Sequence, residues 1–291
     1  MNYQAPTTIE GAVSLLSEAS GITRILAGGT DIIVQLNAEY IDPDLILDIK
    51  RIDEVCNISA ENDGFRIGAG VSCSQLTEHQ GVIDLWPGCV EAAGLIGSTQ
   101  IQGRATIAGN LCNGSPAADS VPALVAAQAI ARLIGPDGTR DVPVENIPTG
   151  PGQTSIASGE MLHSIFLPSR PPRSGDAYLR FIPRTEMDIA VVGVGISLTL
   201  DQSGICTAAR VALGAVASTV LLVEEASAAL IGNKIDDHAL DQLAQAASAA
   251  CNPINDKRGT IEFRTKVAGV LAKRVALIAA QRAQQRTGRQ S

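Results

Sequence analysis

Aromatic residues are scarce in this chain: one Trp, three Tyr and four Phe make up 3% of 291 residues. A protein that grips single-stranded nucleic acid by stacking bases needs a platform of such rings, and none is available. Lys and Arg number 22 against 30 Asp and Glu, for a formal net charge of -8, with no dense basic run. The electrostatic footprint of a nucleic-acid binder is therefore missing. Six cysteines (Cys56, Cys73, Cys89, Cys112, Cys206, Cys251) stand apart with no CxxC pair. No zinc or iron–sulfur site of the chain's own is signalled, and they read as buried free thiols. His79, His163 and His238 have no evident carboxylate or cysteine partner, so they read as surface or core residues. Long apolar runs are lacking too; residues 121–133 and 189–200 are too short or too interrupted to span a bilayer. The start, Met1-Asn2-Tyr3-Gln4-Ala5-Pro6, has neither the basic opening nor the apolar core of a signal peptide. A cytoplasmic protein with no membrane span is the expectation.

What is present is a globular balance, 45% hydrophobic and 18% charged, at a length that suits about two domains. Residues 8–17 carry apolar positions at helical spacing, 23–27 read as a short strand, Gly28-Gly29-Thr30 breaks it, and 31–36 turn helical again. Thr30 or Asp31 can cap that helix. Residues 45–49 read as a buried strand, and Asn62-Asp63-Gly64 marks a hairpin turn. Residues 85–96 and 121–133 read as helices, 129–133 and 139–144 as strands about a turn, and 148–154 as a breaker-rich loop. The segment Pro168-Ser169-Arg170-Pro171-Pro172-Arg173-Ser174-Gly175 stops both periodicities and is the candidate domain boundary. Beyond it, 177–181, 189–199 and 208–214 suggest an antiparallel sheet, and 220–231, 238–250 and 260–282 suggest three helices packed on it. The tail cations Lys266, Lys273, Arg274, Arg282 and Arg286 read as a solvated helix face.

The stretch with the densest turn chemistry is Thr106-Ile107-Ala108-Gly109-Asn110-Leu111-Cys112-Asn113-Gly114-Ser115-Pro116-Ala117-Ala118-Asp119. Glycine lets backbone approach a ligand closely, and successive loop amides can converge on an anion. A phosphate-bearing ligand suits such a loop; an ordinary helix-capping turn uses the same residue types. The strand–glycine–helix unit around Gly28 and Gly29 poses the same choice. It is neither the GxGxxG dinucleotide fingerprint nor the GxxxxGK[ST] phosphate loop.

Taken together, Leu26-Ala27-Gly28-Gly29-Thr30-Asp31 and Thr106-Ile107-Ala108-Gly109-Asn110 resemble the two flavin-binding motifs of the medium subunits of molybdenum hydroxylases. Pro116 and Asp119 match that family's Pro and Asp after the second motif. Met187-Asp188-Ile189-Ala190-Val191 resembles a segment at the start of its C-terminal domain, and Glu262-Phe263-Arg264 its pattern before the last helix. Cys112-Asn113-Gly114 and Thr149-Gly150-Pro151-Gly152 look most like the separate flavin subunits of bacterial xanthine dehydrogenases. Related subunits serve carbon monoxide, nicotinate and aldehyde enzymes, and stand-alone flavin oxidases share the flavin fold. The sequence departs from the family in having Ala108-Gly109 for a Gly-Gly pair, and Gln102-Gly103 where relatives often have Arg-Asn.

The resemblance implies an α+β fold: a two-lobed FAD-binding domain of the vanillyl-alcohol-oxidase (PCMH) type over residues 1–174, with lobes of about 1–55 and 56–174. A sheet-and-helix C-terminal domain over 175–291 would follow. FAD would lie between the lobes, noncovalently, since neither glycine motif carries the histidine that tethers flavin in related oxidases. Substrate would be oxidised at a molybdopterin centre on a large subunit, and electrons would cross 2Fe–2S clusters on a small subunit. FAD would then pass them to an acceptor, NAD⁺ in xanthine dehydrogenases. The implied cofactor contacts are Leu26, Ala27, Gly28, Gly29, Thr30, Asp31, Thr106, Ala108, Gly109, Asn110 and Asn113. Thr30 and Thr106 would donate to phosphate oxygens, or cap helices. Asp119 would accept from the ribityl or ribose hydroxyls, or serve as an N-cap. Arg184, with Asp188, lies in the family's segment near the flavin ring, or forms an ion pair at a domain seam.

Overall fold

The computed structural model describes residues 1–286. Three short strands, β1 (Asn2–Gln4), β2 (Thr23–Leu26) and β3 (Leu45–Asp48), form a parallel sheet in the order β1-β3-β2. The central strand β3 is buried along its whole length, which is why Leu45-Ile46-Leu47 is unbroken apolar sequence rather than an alternation. The helix Ile9–Glu18 buries Ile9, Ala12 and Leu16 on one stripe, and the Thr8 hydroxyl caps it by accepting from the Gly11 amide at 3.1 Å.

A second sheet follows. β4 (Ile58–Glu61) and β5 (Gly64–Gly68) form a hairpin whose turn residues Asn62 and Asp63 have φ of 48° and 59°, the left-handed pair that a type I′ turn requires. After a run of short helices come β6 (Ile130–Gly135) and β7 (Gly138–Pro143), then the small hairpin β8 (Pro148–Gly150) and β9 (Gln153–Thr154), then β10 (Met161–Leu167). β10 slots between the two larger hairpins, giving an antiparallel sheet β4-β5-β10-β6-β7.

The C-terminal part is a four-stranded antiparallel sheet, β11 (Ser174–Phe181), β12 (Val192–Leu200), β13 (Cys206–Gly214) and β14 (Leu221–Leu222), with the helices Glu224–Leu230, Asp237–Ala249 and Ile261–Gln285. The longest helix buries Ala268, Ala272, Ala276, Ala279 and Ala283 completely. Such short side chains let its backbone lie close to the sheet. Another helix, Ser120–Ala126, packs on the same sheet from the N-terminal half: Gly195 of β12 has no Cβ, and one there would stand 2.5 Å from the Pro122 carbonyl oxygen. Charge pairs close this seam, two of them buried. Arg180 meets Asp119 and Arg170 meets Asp176, each at 2.6 Å, while Arg282 of the last helix binds Glu91.

The α+β architecture agrees with the sequence reading; several local readings do not. The expected helix over 85–96 is interrupted at Trp86 and resumes as Pro87–Ala93, because Pro87 has no amide to continue a preceding turn. The expected helix over 121–133 ends at Ala126; Gln128 takes φ of 55° and the chain turns into β6. The breaker-rich loop 148–154 closes as the β8–β9 hairpin. Arg282 is not a solvated cation, since it ties the last helix to Glu91 and to the Asp176 carbonyl. Among the described residues, no helix is long and apolar enough to cross a membrane, and no group of three His, Cys, Asp or Glu side chains could hold a metal. Residues 287–291 of the expected C-terminal domain lie outside the described residues.

Candidate cofactor-binding site

A cleft of about 630 Å³ runs between the small parallel sheet and the second lobe. Its size is within the range that organic cofactors occupy. One wall comes from the end of β2 and the turn after it: Ala27, Gly28, Gly29, Thr30 and Asp31, with Ile32 and Gln35 of the helix Ile32–Asn37. The facing wall is Thr106, Ala108, Gly109, Asn110, Cys112 and Asn113. Gly152, Thr154, Ala157 and Ser158, around the β8–β9 hairpin, form a rim, and Ile49, Ala69, Ile96, Met161 and Leu162 supply apolar lining.

The first glycine motif packs against the backbone just before the second. Gly28 lies so close to the preceding backbone of the second motif that a Cβ would overlap the Arg104 carbonyl oxygen and come within 2.9 Å of the Ala105 Cα. Gly29 takes φ of 80°, a left-handed conformation that brings the chain round into the next helix. Both glycines are thus required by the fold of the cleft itself, before any ligand is considered. Gly109 is different: its Cβ would meet only the Thr106 hydroxyl, at 3.1 Å.

Residues 106–112 are not the open loop that turn chemistry suggests. Ile107–Cys112 is a helix, with Ile107 and Leu111 buried one turn apart and the Thr106 hydroxyl accepting from the Gly109 amide at 2.8 Å. Helix capping is therefore one role of Thr106; the hydroxyl proton is still free to donate. The first motif lacks such a cap. Neither Thr30 nor Asp31 makes a side-chain cap bond to the helix Ile32–Asn37, so the expectation that one of them would is not met. The Ile33 amide already donates to the Gly29 carbonyl at 3.0 Å, while both side chains stay available to a ligand. Among the cleft-lining side chains only Arg24 and Asp31 are charged, and the remaining polar ones are Thr, Asn, Gln, Ser and a thiol. Neutral hydroxyl and carboxamide groups dominate, a donor set that fits a diphosphate and the polar edges of a flavin.

Three of the expected contact residues do not line the cleft. Leu26 is within β2, half-buried beside it. Asp119 is buried, and its carboxyl accepts from Arg180 at 2.6 Å and from the Tyr178 hydroxyl at 3.3 Å. It stands at the start of the helix Ser120–Ala126 but makes no side-chain cap bond. Burial pushes this carboxyl up to about 6, against the pull of the Arg180 guanidinium and the Tyr178 hydroxyl. Arg184 is exposed and pairs with Asp188 at 3.1 Å. Sequence reasoning passed over Arg24, a lone cation on a short strand with no motif around it, and Ser120, whose hydroxyl holds Asn110 at 2.7 Å. Nothing in the local pattern separates that serine from any other helix-start residue.

Comparison with known proteins gives the cleft its family. Residues 1–170 match the family model for the FAD binding domain in molybdopterin dehydrogenase, and residues 177–279 match that for the CO dehydrogenase flavoprotein C-terminal domain. The carbon monoxide dehydrogenase medium chain of Afipia carboxidovorans is 34% identical, over 94% of each chain. The xanthine dehydrogenase FAD-binding subunit of Escherichia coli O157:H7 is 29% identical, also over 94% of each. Among solved structures, a chain of the cyanide-inactivated Cu,Mo-CO dehydrogenase superposes with a TM-score of 0.93 at 33% identity, covering 97% of this chain and 98% of that one. With both halves matched and the cleft formed by the two glycine motifs, the chain belongs to the FAD-binding medium subunits of the molybdenum hydroxylases.

Proposed function

We propose that this chain is the electron-transfer subunit of a cytoplasmic heteromeric molybdenum hydroxylase. It would take electrons from 2Fe–2S clusters on a small partner subunit and deliver them to NAD⁺ while a molybdopterin large subunit hydroxylates xanthine or a similar N-heterocycle. The observation that carries the reading is that both glycine motifs line one cleft whose polar side chains are mostly neutral. Bound FAD supplies the redox chemistry; the protein supplies place and polarity.

In this assignment residues 1–174 are the FAD-binding domain and 175–291 the C-terminal domain of the medium subunit. The Gly28–Gly29 turn and the start of the next helix present amides to the diphosphate, and the Thr30 and Thr106 hydroxyls donate to its oxygens. Ala27, Ala108 and Gly109 keep the walls low enough for close approach. Asp31 and Asn113 meet hydroxyl or amide edges. Asp119 adjoins Ser120 at the Asn110 end of the cleft, and its role toward the ribityl chain belongs to the proposal, as does that of Arg184 beside the flavin ring. Neither glycine motif carries a histidine, and noncovalent FAD is part of the proposal.

The leaning toward xanthine dehydrogenase rests on the Cys112-Asn113-Gly114 and Thr149-Gly150-Pro151-Gly152 pair, which meet where the Gly152 amide donates to the Gly114 carbonyl at 3.0 Å. A second reading, a subunit of carbon monoxide dehydrogenase type, is favoured by the 34% identity to such a medium chain. The test has two stages. NADH-dependent dye reduction by the chain alone checks the acceptor. Reduction by xanthine or by carbon monoxide, after the cognate subunits are added, checks the substrate. Turnover of an organic donor by this chain alone would contradict both readings and favour a stand-alone oxidase.

A further inference from the structure

We infer that Ser120 is a positioning residue that locks the Asn110 carboxamide as a hydrogen-bond donor to the bound dinucleotide, an inference that rests on the FAD reading of the cleft. Asn110 lines the cleft, and its side-chain oxygen Oδ1 accepts twice from one residue: from the Ser120 amide at 3.1 Å and from the Ser120 hydroxyl at 2.7 Å. A backbone N–H can only donate. The carboxamide atom facing Ser120 must therefore be oxygen, which removes the usual ambiguity between oxygen and nitrogen in such a group.

Once Oδ1 is fixed, the planar group leaves Nδ2 no freedom. Among the described residues that nitrogen has no hydrogen-bond partner, while the residue's own backbone is held in the helix Ile107–Cys112 through its amide on the Thr106 carbonyl at 3.0 Å. Ser120 is only 1% exposed, so water cannot take over the hydroxyl's place without opening the helix start. Two donors thus saturate the oxygen, and the amide nitrogen is left as the free polar atom of a cleft-lining side chain. It selects an acceptor: a diphosphate oxygen or a carbonyl or ring nitrogen of the flavin, and not a hydroxyl proton or a cation. Ten residues separate Asn110 from Ser120, so the pairing exists only through the fold.

The test is a double-mutant cycle on FAD affinity, read by titrating the full chain with FAD and following flavin fluorescence. Removing one neutral hydrogen bond, Ser120→Ala is expected to weaken binding about 3- to 10-fold, and Asn110→Ala about tenfold. Asn110→Asp puts an anionic acceptor where the donor was and is expected to weaken binding roughly 100-fold. The deciding result is coupling. In an Asn110→Ala background Ser120→Ala should cost nothing further, because its only route to the ligand is gone. If Ser120→Ala folds poorly, Ser120→Cys keeps a side chain of similar size with a weaker donor, and the cycle is read with that variant. Additive losses, or full affinity in the Ser120 variant, would overturn the inference while leaving the FAD site intact. Failure of the unaltered chain to take up FAD would instead overturn the reading on which it rests.

Discussion

Gly28 packs its Cα against the carbonyl of Arg104, joining the first glycine motif to the residue two before the second. The contact is backbone on backbone, so neither side can give way as a flexible side chain would. Gly28→Ala is expected to destabilise the cofactor half by about 1–3 kcal/mol through overpacking and to lower its FAD content. Gly103→Ala is the control. Gly103 has a helical φ of -63°, and its Cβ would find the Gln100 carbonyl oxygen at 3.6 Å, an ordinary contact. Urea denaturation and the flavin-to-protein ratio of the two variants should separate clearly.

Thr106 tests how far the second motif is a helix cap. Its hydroxyl holds the Gly109 amide at 2.8 Å, so Thr106→Ala should lose about 1 kcal/mol of stability, whereas Thr106→Ser keeps the acceptor and should lose little. Chemical denaturation without FAD measures the cap, and the same pair of variants with FAD measures any additional contribution to binding.

The glycine motifs, their order and the division into flavin-type and sheet-and-helix parts were legible in the sequence, because those features are local or recur at family spacing. Individual roles were less so. Gly28 and Gly29 look like ligand glycines in sequence, yet a carbonyl from a distant segment and a left-handed φ already demand them. Asp119 looks like a free carboxylate after a binding loop, but Arg180 and Tyr178, brought in by β11, occupy it. The helix Ile107–Cys112 escaped notice because six residues containing Gly109 and Asn110 carry too short a period to detect. Gln128 ends its helix by a left-handed φ that propensity does not encode, whereas the break at Trp86 follows from Pro87, a signal present in the sequence.

The ion pairs of Arg180 and Arg184 should behave oppositely. Arg180 is 4% exposed in its pair with Asp119, so Asp119→Ala leaves a buried cation without its partner and should cost about 3–5 kcal/mol. Arg184 is 69% exposed in its pair with Asp188, and Arg184→Ala should leave the unfolding midpoint where it is. Equal effects in the two variants would contradict the assignment of the first pair as a buried seam contact.

His163 sets a pH dependence. Burial lowers its pKa below the ordinary 6.5, Glu54 opposes the shift, and the Arg66 and Arg132 charges reinforce it. The unfolded chain therefore takes up a proton before the folded one does as pH falls. The stability attached to this residue is complete above 6.5 and is lost as pH drops through the lowered folded value. His163→Gln should flatten the stability difference between pH 7.5 and pH 5.5, measured by urea unfolding at each pH.

The decisive measurement is the visible spectrum of the purified chain with added FAD, repeated on the supernatant after acid precipitation. Flavin bands should appear with the chain and move wholly into the supernatant, as noncovalent FAD in the Gly28–Asn110 cleft requires. Colour retained in the pellet would contradict an untethered cofactor. No uptake of FAD, even with the iron–sulfur and molybdenum subunits present, would contradict the cofactor site itself.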